Sequence, residues 1–121
     1  MSKRILVIED QEDNRRILRD LLTSAGFDLV EATTGEEGVA LAESQRPDLI
    51  LMDIQLPGLD GYEATRRIKA NSVLRQIPVI AVTSYALSGD EVKAREAGCD
   101  DYVTKPFSPR ALLAKVREYL P

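Results

Sequence analysis

The chain contains no histidine, and it has one cysteine, Cys99, among its 121 residues. Without histidine it cannot carry a Ser-His triad, a histidine-ligated zinc site or a phosphohistidine of its own. One cysteine cannot form an internal disulfide, and a thiol with no histidine to activate it is typical of a shielded core residue. A Ser-His triad, a histidine-ligated zinc site, an internal phosphohistidine and an internal disulfide are therefore excluded. Any phosphoryl group on this chain must come from outside.

Excess positive charge and long apolar runs are also lacking. The 16 Lys and Arg residues are outnumbered by 20 Asp and Glu residues, which gives a formal net charge of -4 at pH 7. This sign disfavours sequence-independent binding to nucleic-acid phosphates or to anionic lipid. No apolar run approaches the length of a membrane span, and the amino terminus lacks the apolar stretch of a signal peptide. We therefore expect a cytoplasmic protein with neither a nucleic-acid nor a membrane partner.

Short apolar runs alternate five times with amphipathic segments of helix length, which is the pattern of βα units. The predicted strands are Ile5–Ile8, Asp28–Glu31, Leu49–Met52, Val79–Val82 and Asp101–Val103. Nearly all-aliphatic first, third and fourth strands are typical of a sheet centre, and the mixed second and fifth strands are typical of edges. The prediction is an α/β fold, a doubly wound parallel sheet of five strands in a (βα)₅ order. We expect it to form one domain over residues 1–121, with no output domain.

Helix signals fill the intervals between these strands. An apolar stripe at helical spacing ends at Gly26, a residue suited to a left-handed stop; its members are Ile17, Leu18, Leu21, Leu22 and Ala25. Thr34 to Glu37 has the pattern of a capping box, and its helix should run to about Gln45. Further helices are predicted from near Gly61 with Tyr62, Thr65 and Ile68 inward, from about Gly89 to Ala97, and after Ser108 with Pro109 at the first helical position.

Polar residues follow the strands at their carboxyl ends. They are Glu9 and Asp10 after the first strand, Asp53 after the third, Thr83 and Ser84 after the fourth, and Lys105 after the fifth. Right-handed crossovers bring all these ends to one edge of a parallel sheet, where ligands bind. The flavodoxin-like order 2-1-3-4-5 is adopted here from known sheets of this type. In that order the first, third and fourth strands are neighbours, so the polar side chains converge on one cleft.

Three carboxylates in one cleft repel one another, so a cation is expected beside them. Carboxylate oxygens without Cys or His favour Mg²⁺, with Mn²⁺ as an alternative. Between such a cation and the ammonium of Lys105, one carboxylate can act as the nucleophile of an in-line phosphoryl transfer. The hydroxyl of Thr83 would donate a hydrogen bond to a phosphoryl oxygen. The product is an aspartyl phosphate.

Four groups of short motifs occur together at these strand ends. They are Val7-Ile8-Glu9-Asp10; Asp48-Leu49-Ile50-Leu51-Met52-Asp53 with Leu56-Pro57-Gly58 and Asp60-Gly61; Val82-Thr83; and Lys105-Pro106-Phe107. With these motifs in this order, the chain resembles the receiver domain of bacterial two-component response regulators over essentially its full length. Each motif is weak alone, but the combination is specific.

The resemblance implies a role for each matching residue. Glu9 and Asp10 would be the acidic metal pair, Asp53 the phosphoacceptor, Thr83 the switch hydroxyl and Lys105 the phosphate-contacting base, while the backbone carbonyl of Gln55 would complete the metal shell. It also implies a cis peptide bond between Lys105 and Pro106. Tyr102 matches the position of an aromatic ring that turns inward when the threonine hydroxyl moves to the phosphate.

The resemblance further implies a two-state signalling switch and not an enzyme, although such a domain assists its own phosphorylation and dephosphorylation. The phosphoryl donor would be a sensor histidine kinase or a histidine phosphotransfer protein. A downstream protein would bind the face formed by the fourth helix, the fifth strand and the fifth helix. The chain looks like a stand-alone regulator of the cell-cycle or chemotaxis type, and a receiver excised from a hybrid histidine kinase is the alternative.

Several of these residues have simpler interpretations. Asp10 alone would more often be a helix cap, Lys105 a loop lysine and Tyr102 an edge-strand packing residue. Thr83 could cap the next helix, and Ser84 could share or take its role. We interpret Asp60 as a turn or cap, and Glu12 and Asp13 as first-turn residues that suit the helix dipole, so none of these three is a predicted ligand.

Three rival functions fit the sequence less well. An aspartyl-nucleophile phosphohydrolase needs a second Asp two residues after the nucleophile, and this chain has Gln55 there. A flavin or nucleotide binder would want a Gly-, Ser- or Thr-rich loop after the first strand, where the chain has the acidic run 9–13. A pseudo-receiver that serves only as an interaction module usually lacks a member of the set, and none is missing here.

Overall fold

The computed structural model describes residues 2–83, 88–105 and 108–121. Within these residues, strands and helices alternate without exception: β1 Arg4–Ile8, α1 Glu12–Ser24, β2 Asp28–Ala32, α2 Gly35–Gln45, β3 Leu49–Asp53, α3 Gly61–Ala70, β4 Val79–Thr83, α4 Ser88–Ala97, β5 Asp101–Thr104 and α5 Pro109–Tyr119. The (βα)₅ prediction is confirmed, with boundaries that differ by a residue or so at some ends. Among these helices, none combines the length and apolarity that a membrane crossing requires.

The strands form one parallel sheet in the order β2-β1-β3-β4-β5. The register places Ile5 beside Leu49 and Ile50 beside Val79 across the three central strands. Every residue of β3 and β4 is buried, whereas β2 and β5 are largely half-buried. The predicted strand order and the two predicted edge strands are therefore confirmed.

Two hydrophobic cores cover the two faces of the sheet. Alternate residues of β1 divide between them, since Leu6 and Ile8 belong to one core and Ile5 and Val7 to the other. The first core includes buried side chains of α2, α3 and α4, and the second includes those of α1 and α5. This two-sided burial explains why the central strands are aliphatic throughout.

Side-chain caps begin three of the helices. Thr34 Oγ1 accepts a hydrogen bond from the Glu37 N–H at 3.1 Å, and Asp60 and Ser108 cap α3 and α5 in the same way. The Glu37 carboxylate accepts from the N–H of Thr33 at 2.7 Å. The predicted capping box is thus present in its forward half, while the return bond is displaced by one residue toward the amino terminus.

The apolar stripe predicted for α1 is wrong at one position. Leu18 and Leu22 are buried four residues apart, but Ile17 is 52% exposed. Neighbouring residues on a helix differ by about 100° around its axis, so the face that turns Leu18 to the sheet turns Ile17 away from it. The stop after α1 is as predicted, because Gly26 has a φ of +94°, in the left-handed region.

Gly61 lets α3 begin directly against the end of β3. A Cβ at this position would lie 2.3 Å from the carbonyl oxygen of Asp53 and 2.7 Å from the Cα of Ile54. The Gly61 N–H instead donates to the Ile54 carbonyl at 3.1 Å. The missing side chain therefore fixes the backbone that follows Asp53, a residue of the predicted site.

Lys69 joins three groups at the amino end of the sheet, opposite to the predicted site. Its loss should lower the stability of the fold without affecting that site. Its Nζ donates to the carbonyls of Arg75 at 3.0 Å and Ile77 at 2.8 Å, and to Asp100 Oδ2 at 2.9 Å. Lys69→Met keeps the aliphatic stem but removes all three bonds. We expect the free energy of unfolding to fall by about 2 kcal/mol in urea titrations.

Lys93→Met, which alters an exposed lysine of α4, is the matched control and should leave stability within about 0.5 kcal/mol of the wild type. Neither variant should change divalent-cation affinity, because Lys69 binds groups that precede β4 and β5, at the amino ends of those strands. A Lys69→Met protein as stable as Lys93→Met would contradict the structural role of the three bonds.

Candidate functional site

Three carboxylates meet at the carboxyl edge of the sheet. Glu9 and Asp10 directly follow β1, and Asp53 is the last residue of β3. One carboxylate oxygen from each lies within 4.8 Å of the others. Glu9 and Asp53 are only 2% and 4% exposed, while Asp10 is half-buried. The structure thus brings together the three acidic residues that the sequence placed at neighbouring strand ends.

Backbone N–H groups orient the two buried carboxylates. Glu9 Oε2 accepts from the N–H of Gln11 at 3.1 Å, and Asp53 Oδ1 accepts from the N–H of Gln55 at 3.0 Å. The Glu9 backbone continues the sheet ladder, since its own N–H donates to the Ala32 carbonyl at 3.0 Å. Each carboxylate therefore has one oxygen fixed by a local turn and a second oxygen directed to other partners.

Lys105 lies against this acidic cluster from the end of β5. Its Nζ is 2.6 Å from Glu9 Oε1 and 3.5 Å from Asp53 Oδ2, and its side chain is 15% exposed. Its N–H donates to the Thr83 carbonyl at 2.6 Å, which anchors the backbone beside β4. Lys105 therefore makes its closest ion pair with Glu9 and a longer one with Asp53.

Burial and the neighbouring Glu9 carboxylate raise the pKa of Asp53 to about 7. Burial alone would raise the pKa of Glu9 as well, but hydrogen bonds with Asp53, Lys105 and the Gln11 N–H together lower it. In the metal-free protein below about pH 7, Asp53 is therefore the protonated member of the pair and donates a hydrogen bond to ionised Glu9. A cation that binds all three carboxylates must displace this proton.

Thr83 ends β4, the strand next to β3, and is 1% exposed. Because Asp53 lies opposite Val82 in the register, Thr83 stands one residue beyond Asp53 on the neighbouring strand. Tyr102 is half-buried in β5, opposite Ala81. Tyr102 thus lies in the predicted fifth strand, whereas Thr83, predicted to follow the fourth strand, is its last residue. The switch roles of both residues remain predictions.

Two of the predictions fall on residues outside the described ranges. Ser84, the alternative hydroxyl, is one of them, and Pro106, with its predicted cis bond to Lys105, is the other. Gln55 is exposed and directs its N–H to Asp53, and the ligand role of its carbonyl remains a prediction.

The acidic residues that the sequence set aside as non-ligands have other partners or lie in solvent. Asp60 Oδ1 caps α3 by accepting from the Glu63 N–H at 2.8 Å, as predicted. Glu12 pairs with Arg15, and Asp13 is exposed in the first turn of α1. In the part of the chain that the structure describes, the acidic group suited to a metal consists of Glu9, Asp10 and Asp53.

Sequence reasoning missed Arg15, which contacts the backbone of the acidic pair. Arg15 Nη1 donates to the carbonyl oxygens of Glu9 at 3.0 Å and Asp10 at 3.1 Å. A signal was available, because helical side chains lean toward the amino terminus of their helix. An arginine in the opening turns of α1 could therefore reach back to the loop before it.

Comparison with known proteins agrees with this geometry. Residues 5–117 match the family described as the response regulator receiver domain. The chain is 43% identical over 120 residues to the polar-differentiation response regulator DivK of Brucella anthropi, a match that covers 99% of this chain and 98% of that protein.

Solved structures of similar chains superpose closely. The receiver domain of a sensor histidine kinase from Pseudomonas aeruginosa, with a magnesium ion coordinated in its active-site cleft, superposes with a TM-score of 0.92 at 39% identity and covers 98% of both chains. A putative response regulator from Chloroflexus aurantiacus superposes with a TM-score of 0.96 at 28% identity, over 99% of this chain and 98% of that one.

Proposed function

Because the chain belongs to the response regulator receiver domain family, we propose that Asp53 is its phosphoacceptor and that a phosphohistidine of a partner protein is the donor. Receiver domains are the phosphorylation-controlled switches of two-component systems. The observation that carries the assignment is the position of Asp53, a buried carboxylate that lies close to those of Glu9 and Asp10 and 3.5 Å from the Lys105 ammonium. This arrangement supplies the charges that a phosphoryl transfer requires.

The carboxylates of Glu9, Asp10 and Asp53, with the backbone carbonyl of Gln55, would hold Mg²⁺. Their oxygen-only chemistry fits this ion, and Mn²⁺ has a similar preference. The similar kinase receiver domain, which holds magnesium in its active-site cleft, supports the proposal. When bound, Mg²⁺ supplies positive charge to the phosphoryl oxygens.

The chemical step is an in-line displacement by the Asp53 carboxylate. An O–P bond forms to the carboxylate oxygen while the P–N bond to the donor imidazole breaks, and the imidazole leaves with the electron pair and takes up a proton. The Lys105 ammonium, 3.5 Å from Asp53 Oδ2, stabilises charge on the phosphoryl group. The hydroxyl of Thr83 would donate to a phosphoryl oxygen.

The proposed readout is a change of the surface formed by α4, β5 and α5, where a downstream protein would bind. Thr83 ends the strand before α4, and Tyr102 lies in β5, so a shift of the hydroxyl toward the phosphate would reach this surface through both residues. We propose that residues 1–121 act as one receiver unit in the cytoplasm. Likeness to DivK supports a stand-alone regulator, and likeness to the kinase receiver supports the hybrid-kinase alternative.

Acetyl phosphate, as a small phosphodonor, tests the proposal. With Mg²⁺ present, intact mass spectrometry of the wild type should show the gain of one phosphoryl group that is labile in base and stable in acid. EDTA should abolish the gain, and so should Asp53→Asn. The absence of a mass gain in the wild type would contradict the assignment. A mass gain in Asp53→Asn would show that another residue is the acceptor, and a mass gain in EDTA would contradict the role of the metal.

A further inference from the structure

We propose that Arg15 is a positioning residue that fixes the loop of Glu9 and Asp10 in the geometry that a divalent cation requires. The inference rests on the proposed function, since it concerns the same magnesium site. Arg15 lies on α1, outside the carboxylate cluster, and acts through the backbone of two of the three acidic residues. It would therefore set the affinity of the site without binding the ion.

The contacts of Arg15 with the acidic loop are made by one nitrogen. Nη1 donates to the Glu9 carbonyl at 3.0 Å and to the Asp10 carbonyl at 3.1 Å. These two carbonyls belong to the peptide units on either side of Asp10, so one donor fixes both planes about the Asp10 Cα. The two peptide planes set the direction in which the Asp10 side chain leaves its Cα. The first of these planes also contains the Cα of Glu9, the preceding residue.

The rest of the guanidinium forms ion pairs with two glutamates. Nη2 bonds the Glu12 carboxylate, and Nε lies 3.6 Å from Glu31 Oε1. Glu31 is itself fixed on β2 by two hydrogen bonds from Arg19, at 2.7 and 2.8 Å. With only 12% of its side chain exposed, Arg15 links α1, the acidic loop and the edge strand β2. A guanidinium held by several partners is pre-organised, whereas the guanidinium of an exposed arginine is not.

Because Arg15 is charged, the direction in which its removal changes Mg²⁺ affinity tests the proposal. A positive charge near a cation site ordinarily weakens metal binding, so its removal by electrostatics alone would tighten the binding of Mg²⁺. Loss of a group that orients metal ligands has the opposite effect and typically weakens affinity by about 10- to 100-fold. Glu12 and Glu31 already offset the charge of Arg15, so we expect the orienting effect to dominate.

The matched pair is Arg15→Met and Arg16→Met. Both remove one positive charge from the same helix, but the Arg16 side chain is 62% exposed and, among the residues that the structure describes, pairs with Glu12 alone, at 4.0 Å. Titration calorimetry with MgCl₂ at pH 8 should give a dissociation constant about tenfold higher for Arg15→Met than for the wild type. Arg16→Met should bind at least as tightly as the wild type. Arg15→Lys retains charge and one reaching donor group, and should fall between.

A second readout separates positioning from general damage. At saturating Mg²⁺, Arg15→Met should take up phosphoryl groups from acetyl phosphate at a rate near that of the wild type. The Mg²⁺ concentration for half-maximal rate should rise about tenfold, in step with the dissociation constant. A merely structural role would lower the urea unfolding midpoint in EDTA without raising the dissociation constant of the folded protein.

The outcomes separate this inference from the proposed function. A wild type that binds no Mg²⁺ overturns both, whereas a wild type that binds Mg²⁺ with Arg15→Met and Arg15→Lys equal to it overturns the inference alone. Tighter Mg²⁺ binding by Arg15→Met than by the wild type also overturns the inference, because such a result would mean that Arg15 affects the site only through its charge. Should Arg15→Met not fold, Arg15→Lys decides by itself: a dissociation constant raised a few-fold supports positioning, and an unchanged one contradicts it.

Discussion

In metal-free buffer at pH 8, the Asp53→Asn variant should be more stable than the wild type by about 2 kcal/mol in the free energy of unfolding. The folded protein holds Asp53 in a buried site beside ionised Glu9, and its pKa is raised to about 7 from the ordinary 3.8. Above pH 7 the wild type must therefore keep two buried, adjacent carboxylates ionised, with Lys105 as their shared partner. Asparagine keeps the shape of the side chain and removes the charge.

The sign of the pH dependence follows from the direction of the shift. Because the folded-state pKa of Asp53 lies above its unfolded value, its contribution to stability is complete below about pH 3.8 and is lost as pH rises to about 7. The pKa of Glu9 is lowered, so its contribution is lost only as pH falls below its ordinary value of 4.5. The two effects thus occupy different pH ranges. The chain has no histidine to titrate in the same range, and Asp53 is expected to titrate near neutrality.

Urea unfolding in EDTA at pH 5 and pH 8 measures the effect. The wild type should lose about 2 kcal/mol between these values, whereas Asp53→Asn should change much less. Mg²⁺ should restore the stability of the wild type at pH 8, because a bound cation favours the ionised carboxylates. Parallel pH profiles for the two proteins would refute the raised pKa of Asp53.

The alternation of strands and helices and the edge of the sheet that carries the site could be predicted from the sequence, whereas the strand order 2-1-3-4-5 comes from known sheets of this type. Aliphatic runs of strand length are the direct result of burial on both faces, so β1, β3 and β4 were recognisable from composition alone. Parallel connection then fixes which end of each strand faces the cleft, and the polar residues Glu9, Asp53 and Lys105 are found at those ends.

Side-chain partners could not be predicted in the same way. The pairing of Lys105 with Glu9 rather than mainly with Asp53 depends on the reach of two long side chains separated by 96 residues. The contact of Arg15 with the acidic loop depends on a rotamer, and the exposure of Ile17 depends on how α1 is rotated against the sheet. Periodicity fixes which residues share a face, but not the rotation of that face by a fraction of a turn.

Lys105→Met should change metal affinity and phosphoryl transfer in opposite directions. The Lys105 ammonium contacts Glu9 and Asp53 and competes with Mg²⁺ for the same negative charge. Its removal should tighten Mg²⁺ binding about tenfold at pH 8, by the loss of one positive charge a few ångströms from the carboxylates. Phosphoryl uptake from acetyl phosphate at saturating Mg²⁺ should fall about 100-fold, because the transferred group loses a cationic donor.

Lys115→Met is the matched control, since Lys115 also forms a partly buried ion pair, with Asp101 at 3.0 Å, but does so away from the carboxylate cluster. Calorimetry with MgCl₂ and the time course of mass gain should find Lys115→Met unchanged in both quantities. A Lys105→Met protein that loses Mg²⁺ affinity and phosphoryl uptake together would indicate a collapsed site. Opposite changes separate the two roles of the ammonium, because only a group that competes with the metal and also assists the transfer gives tighter binding with slower chemistry.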